Sequence, residues 1–337
     1  MSKAGSEIKL NGGFRFYRIT QAVFRDYLVM VAIILLVLIT IIIEPKFITI
    51  PNLSNIMSQF GPLSLVSLGM TFVIIGGFID LSVGGLMSFV AVVTISLIQP
   101  LGQIPALLAG LALGALLGYV NSLLVLSSGA TTQAEALFMT FGMSTVYSAL
   151  ALIWAGGSTQ HMSWITSDTS VFETIGAGNV GPIAVSFIIF CACLVLLYVF
   201  QTKTYMGRAI CLTGGNKTAA NLAGIPVKKS IMLIFTISGL MAALSAIVLF
   251  SRVTTASPAL GKNYETNSIL AVVVGGTTLK GGKGSVLRTV LGVLLVTLLS
   301  NCMNLLGVST YMQIVLSGAI LIIAIWLDNR KELKGEL

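Results

Sequence analysis

Charge is the scarcest commodity in this chain. Of 337 residues, 9% are Asp, Glu, Lys or Arg, and 56% are hydrophobic. A soluble domain carries roughly 25% charge, so a soluble enzyme is excluded. Disorder is excluded too, because it requires few apolar residues and many charges. Histidine occurs once and cysteine four times, too few for a disulfide framework or a metal cluster. There is no His-Glu-x-x-His, no Gly-x-Ser-x-Gly and no pair of acids inside an apolar run. Catalysis therefore finds no support, and neither a metal nor a bound cofactor is expected. His161 stands alone in a loop and reads as solvated. Cys191, Cys193 and Cys302 fall in apolar runs, where free cysteine behaves as a small hydrophobe, and Cys211 falls in a loop.

Long apolar runs are what the chain has in quantity, with a mean hydropathy of +0.99. A bilayer crossing needs ~20 such residues. Ten candidates follow, at 28–43, 61–79, 83–98, 104–126, 135–155, 183–200, 231–250, 268–279, 286–306 and 311–327. The eighth is too short to cross unaided. The fold expected is all-α: a polytopic membrane protein of about ten transmembrane helices, some short or broken. The net charge of +8 sits in the ends and loops, so it sets topology and is no footprint for nucleic acid. Segment 201–230 holds Lys203, Arg208, Lys217, Lys228 and Lys229 and no acid, which puts it inside. Loop 156–182 holds Asp168 and Glu173 and no base, which puts it outside. Both termini then lie in the cytoplasm, with a basic segment 1–26, a membrane domain 27–327 and a tail 328–337. No small-residue cleavage site follows a short apolar core in 1–26, so no signal peptide is read there.

Two stretches echo each other. Val73-Ile74-Ile75-Gly76-Gly77 precedes a polar Gly-rich segment, and so does Val272-Val273-Val274-Gly275-Gly276. Gly-interrupted apolar segments in matching places of two halves point to a transport path. The stretch Gly281-Gly282-Lys283-Gly284 invites a phosphate-loop reading but lacks it: Gly284 stands where Ser or Thr must follow the lysine, and Thr277 where the first glycine belongs. Gly110, Gly114 and Gly118 make one smooth helix face for close approach, continued by Asn121. Asp80 ends the second run, and a carboxylate at bilayer depth is functional, paired, or interfacial. Ser82 is placed to cap the helix that follows. Neutral amides at Asn121, Asn301 and Asn304 suit sugar hydroxyls, or equally helix–helix hydrogen bonds.

The sharpest local pattern lies in 201–230. Gly214-Gly215 reads as a turn, Asn216 as an N-cap, Lys217–Ala223 as helix with Ala219 and Ala220, Gly224 as its left-handed end, and Pro226 as the stop. A short helix bracketed at both ends on the inner side can dock into a partner's groove, or serve as a plain structural loop.

The sequence resembles the membrane permease subunits of bacterial ATP-binding-cassette importers for monosaccharides, the ribose and xylose permeases. The stretches that carry the likeness are Ile79-Asp80-Leu81-Ser82-Val83-Gly84, Gly207-Arg208 with Gly214-Gly215-Asn216, Ala219-Ala220 and Gly224-Ile225, then Ala271–Thr277 with Gly281–Gly284, then Asn304-Leu305-Leu306-Gly307-Val308. The resemblance implies that Gly207, Arg208, Gly214, Gly215, Asn216, Ala219, Ala220 and Gly224 form a coupling helix seated on a cytoplasmic ATPase, which itself holds ATP and Mg. It implies a sugar-binding protein, periplasmic or lipid-anchored, at the outer face and a second permease subunit alongside. It implies a sugar path past Asp80, Ser82, Asn121, Phe141, Gly275, Gly276, Asn301 and Asn304, in the inner membrane of a bacterium. Two positions depart from the pattern: Phe78 where the family has glycine, and Ser148 where it has arginine. The competing reading is a sugar transporter driven by an ion gradient, which calls for partnered intramembrane acids.

Overall fold

The structure, a computed structural model, describes residues 29–129 and 132–333. The N-terminal segment 1–26 and the last four residues of the tail lie outside them. The chain is nearly all helix. Seven described helices are long and apolar enough to cross a membrane: α2 (Ile50–Ile75), α3 (Val83–Leu101), α4 (Gln103–Ser127), α5 (Gln133–Trp154), α7 (Val185–Lys203), α10 (Val227–Val253) and α12 (Val286–Leu305). Shorter apolar helices are α1 (Val29–Ile43) and the Thr310–Trp326 part of α13 (Thr310–Leu333). The eighth run is the 11-residue α11 (Tyr264–Val274), and α6 (Ser170–Ala177), α8 (Tyr205–Gly215) and α9 (Lys217–Leu222) complete the set. Four two-residue strands add two small antiparallel pairings to the expected all-α class: β1 (Gln160–His161) with the distant β4 (Thr255–Ala256), and β2 (Asn179–Val180) with β3 (Ile183–Ala184) as a hairpin.

α2 is the central post. Every residue from Phe60 to Ile75 is buried, so it has neighbours all round, whereas few residues of α5 or α7 are buried. α10 packs against α2, and Ser245 Oγ donates to the carbonyl of Pro62 at 2.6 Å. On its other side α10 meets α4 through glycine. A Cβ on Gly114 would stand 2.7 Å from the Gly239 carbonyl, and one on Gly239 would stand 2.8 Å from Gly118 Cα. The expected smooth face is thus real at Gly114 and Gly118, while Gly110 abuts Thr94.

α2 begins at Ile50 rather than at 61. Its first turns carry Asn52, Ser54, Asn55, Ser58 and Gln59, which dilute the hydropathy, yet Pro51 is tolerated in an opening turn and the helix runs on. Gly214 and Gly215 are the last turn of α8, not a free turn. A Cβ on Gly214 would stand 2.8 Å from the Gly282 nitrogen, so α8 is held to its end by close backbone contact.

The echo is structural. α2 ends with Gly76 N–H bonded to Phe72, Gly77 to Ile74 and Phe78 to Val73; α11 ends with Gly275 bonded to Ala271, Gly276 to Val273 and Thr277 to Val272. Gly77 (φ +79°) and Gly276 (φ +92°) hold the left-handed positions. The two ends also converge, since Gly282 N–H donates to the Ile75 carbonyl at 2.7 Å and Gly281 packs on Gly77.

Candidate functional site

The loop between α7 and α10 is built as a compact knot. Thr204 Oγ1 accepts from Gly207 N–H at 3.0 Å and starts α8, and Gly207 permits α8 to fold back onto Gln201, whose Cα would lie 2.7 Å from a Cβ there. Arg208 is exposed and reaches the Thr202 carbonyl at 3.4 Å. Asn216 Oδ1 accepts from Ala219 N–H at 2.9 Å, as an N-cap does. At the other end Ile225 N–H reaches back to Ala220 and Gly224 N–H to Asn221, with Gly224 at φ +77°. The helix α9 is therefore closed at both ends, as its sequence requires.

The two alanines part company. Ala219 is exposed and Ala220 is 4% exposed, held against the rest of the loop. The residue that stands out is Leu222, 83% exposed. Sequence reasoning passed over it, although a bulky leucine in a short capped helix otherwise built of small and polar residues is a readable signal. Beside α9 lies a recess of about 760 Å³ whose wall includes Cys211, Asn216, Ala219, Gly282 and Lys283. Burial pushes the Cys211 thiol up, so this wall offers no reactive thiolate.

α9 is wired to the membrane part through Phe78. The Lys217 ammonium lies 3.7 Å from the Phe78 ring centroid, and that ring packs on Phe235 with centroids 5.8 Å apart. Phe78 is fully buried. Two residues on, Asp80 is 1% exposed. Its Oδ1 accepts from Ser82 N–H (3.0 Å) and Ser82 Oγ (2.6 Å), and its Oδ2 from Ser238 Oγ (3.0 Å). Asn121 Nδ2 donates to Ser82 Oγ at 2.7 Å, and Tyr147 Oη donates to Asn121 Oδ1 at 2.7 Å. Ser82 makes no side-chain cap bond to α3, because its hydroxyl is committed to the carboxylate. Three predicted residues, Asp80, Ser82 and Asn121, are thus brought together. Tyr147 and Ser238 join them from α5 and α10, a convergence no sequence spacing reveals. The arrangement is a polar brace across four helices, and each carboxylate oxygen is satisfied from within the chain.

The other predicted path residues lie apart. Asn301 is buried in a reciprocal pair with Asn52, at 2.9 and 3.1 Å. Asn304 is exposed and accepts from Gln313 Nε2 at 2.8 Å. Phe141 is 59% exposed on the outer surface of α5. Gly275 sits against Thr289, whose Cα would lie 3.0 Å from a Cβ, and Gly276 forms the turn that follows.

The opposite end is ordered by glutamines. Gln99 Oε1 accepts from Thr166 and Ser167 N–H, and Gln103 Oε1 accepts from Val171 N–H at 2.8 Å. Bonds from Ser170 backbone and hydroxyl hold the exposed Asp168 carboxyl below the usual carboxylate range. His161 packs its ring on Trp164, with centroids 4.5 Å apart, rather than standing free. Among the described residues no group of acids, cysteines and histidine could hold a metal ion.

Comparison with known proteins adds a second line. Residues 52–325 match the family model described as branched-chain amino acid transport system / permease component. The chain is 34% identical over 325 residues to the ribose import permease protein RbsC of Escherichia coli K12, covering 95% of this chain and 98% of that one. It is 35% identical to the RbsC of Bacillus subtilis strain 168 (88% and 90% covered) and 31% identical to the D-allose transport system permease protein AlsC of Escherichia coli K12 (84% and 85% covered). No solved structure matches the chain.

Proposed function

The chain belongs to this family of transport-system permease components, and from that premise we propose that it is the membrane subunit of an ATP-binding-cassette importer carrying a ribose-like monosaccharide into the cytoplasm. The observation that carries the reading is the near-full-length likeness to ribose import permeases, which spans the bundle from α2 to α13 together with the α8–α9 knot. The rival driven by an ion gradient loses its footing on the same ground. Asp80, the acid that ends the second apolar run, is spent on internal hydroxyl and backbone N–H partners.

In this reading the seven long helices, with α1, α11 and α13, make about ten crossings, and both termini face the cytoplasm, in the inner membrane of a bacterium. A separate ATPase holds ATP and Mg and receives α9 in a cleft, with Gly207, Arg208, Gly214, Gly215, Asn216, Ala219, Ala220 and Gly224 shaping the knot and Leu222 as the projecting anchor. A sugar-binding protein docks on the outer face, where Gln99 and Gln103 stiffen the loop, and a second permease subunit completes the path. Mechanically, a push on α9 reaches Phe78 through Lys217, and through Gly281 and Gly282 it reaches the ends of α2 and α11 together. Asp80 and its partners then carry the displacement of the 76–82 connector to α3, α4, α5 and α10. The ATPase can shift the packing only by binding its two states with different affinity.

The test is reconstitution in proteoliposomes with the cognate ATPase and binding protein. Sugar uptake should require ATP hydrolysis, and hydrolysis should rise with sugar-loaded binding protein. Uptake driven by a proton or sodium gradient without the ATPase would overturn the reading.

A further inference from the structure

We propose that Asn55, Gln59 and Arg252 form a sugar-contacting station in the outer half of the translocation path. The proposal rests on the importer reading above and names residues that the sequence did not bring forward.

The first observation is a break in the character of α2. From Phe60 inward the helix is wholly buried, but its opening turns show polar side chains along one side. Asn52 on that side is closed off by its pair with Asn301. Asn55 and Gln59, one turn apart and four residues from each other, stay open. Gln59 Nε2 and Arg252 Nη2 both donate to Asn55 Oδ1, at 3.3 and 3.1 Å. That leaves the Asn55 amide N–H groups, the Gln59 carbonyl and most of the guanidinium donors without a hydrogen bond among the described residues. A guanidinium and two amides with spare capacity are out of place against lipid; such groups face water, a pathway or a partner. Arg252 ends a helix, where a cation is favourable anyway, but its guanidinium is turned across to α2.

The second observation concerns the segment that follows Arg252. Thr254 (φ +56°) and Asn263 (φ +71°) bracket the link between α10 and α11 and are the only non-glycine residues with positive φ among the described ones. Within it β4 is held by β1, and Gly261 N–H is held by Ser88 Oγ at 3.0 Å. The link is tied down, and Arg252 just before it keeps its guanidinium on Asn55.

The chemistry fits a neutral polyol. A planar guanidinium fork spans adjacent hydroxyls, and amides both donate and accept. Among the described residues no acid pairs with Arg252, whose bond goes to the Asn55 amide oxygen.

The experiment uses the full complex in proteoliposomes with radiolabelled D-ribose, D-xylose and D-allose, and Asn55→Ala and Gln59→Ala variants. Each substitution should slow uptake roughly tenfold for at least one sugar, the equivalent of one lost hydrogen bond, with the binding-protein-stimulated ATPase within about twofold of wild type. In a chain with its four cysteines replaced, Gln59→Cys should react with a membrane-impermeant maleimide from outside and be protected by sugar-loaded binding protein. Wild-type uptake in both alanine variants overturns the station. So does an unreactive Gln59→Cys with loss of complex assembly, which assigns the face to the second permease. Failure of the importer reading shows separately, as wild-type uptake that ignores ATP.

Discussion

The ammonium of Lys217 lies 3.7 Å from the centroid of the Phe78 ring, and this contact joins the first residue of α9 to the connector that carries Asp80. Glycine would leave the ammonium nothing to rest on. Phe78→Leu removes both the cation–π contact and the packing on Phe235, and should destabilise the protein by about 1–3 kcal/mol. Thermal unfolding in detergent measures it. The variant should also hydrolyse ATP in the complex with less sugar carried per ATP.

Lys217 also gives a pH signature. Burial holds its ammonium below the usual lysine range of 10.5, with Glu135 opposing. Between that lowered value and 10.5 the unfolded chain binds more protons than the folded one, so this group adds stability as pH rises through the window. Wild type should therefore gain melting temperature relative to Lys217→Met as pH climbs toward 10.5. A difference flat in pH would remove the burial argument.

Leu222 and Ala220 should separate docking from folding. Leu222→Asp changes an exposed side chain and should abolish ATPase capture in a pull-down while the chain's own melting curve stays within about 0.5 kcal/mol of wild type. Ala219→Trp should act in the same way. Ala220→Trp must instead displace buried neighbours and should lower stability by about 1–3 kcal/mol.

The brace around Asp80 is expected to fail in steps. Tyr147→Phe deletes one donor at its edge and should cost about 1 kcal/mol. Asp80→Ala leaves Ser82 N–H, Ser82 Oγ and Ser238 Oγ without their acceptor, at about 1–3 kcal/mol for each group left unpaired. Equal melting points for the two variants would overturn the stepwise failure.

Gly239→Leu tests the close crossing of α4 and α10. The Gly118 backbone lies 2.8 Å from the first added carbon, so the helices must separate. Expression in the membrane should fall, with overpacking of at least about 1–3 kcal/mol. Met241→Leu, on the same helix and of similar volume, should be nearly neutral.

What could be read from the sequence follows the range of the interactions. α9 was legible because caps are local: Asn216, Gly224 and Pro226 act on residues within a turn. The glycine face of α4 was legible from its four-residue spacing. The start of α2 was not, because hydropathy counts Asn52 and Gln59 against a helix and cannot see Asn301, 249 positions away in the chain. Asp80 was singled out, but Ser238, 158 positions on, and Tyr147 were not. Ser82 was assigned to a cap because a local partner is all that a sequence displays, while the carboxylate two residues back holds its hydroxyl. Leu222 was readable and overlooked.

The twin Gly-Gly ends of α2 and α11 share a pivot but not a length. At 1.5 Å per residue the 26 residues of α2 reach about 39 Å from that pivot and the 11 of α11 about 16 Å. One small rotation at the common fulcrum sweeps the far tip of α2 through more than twice the arc of its counterpart. A duplicated hinge has become a pair of unequal oars.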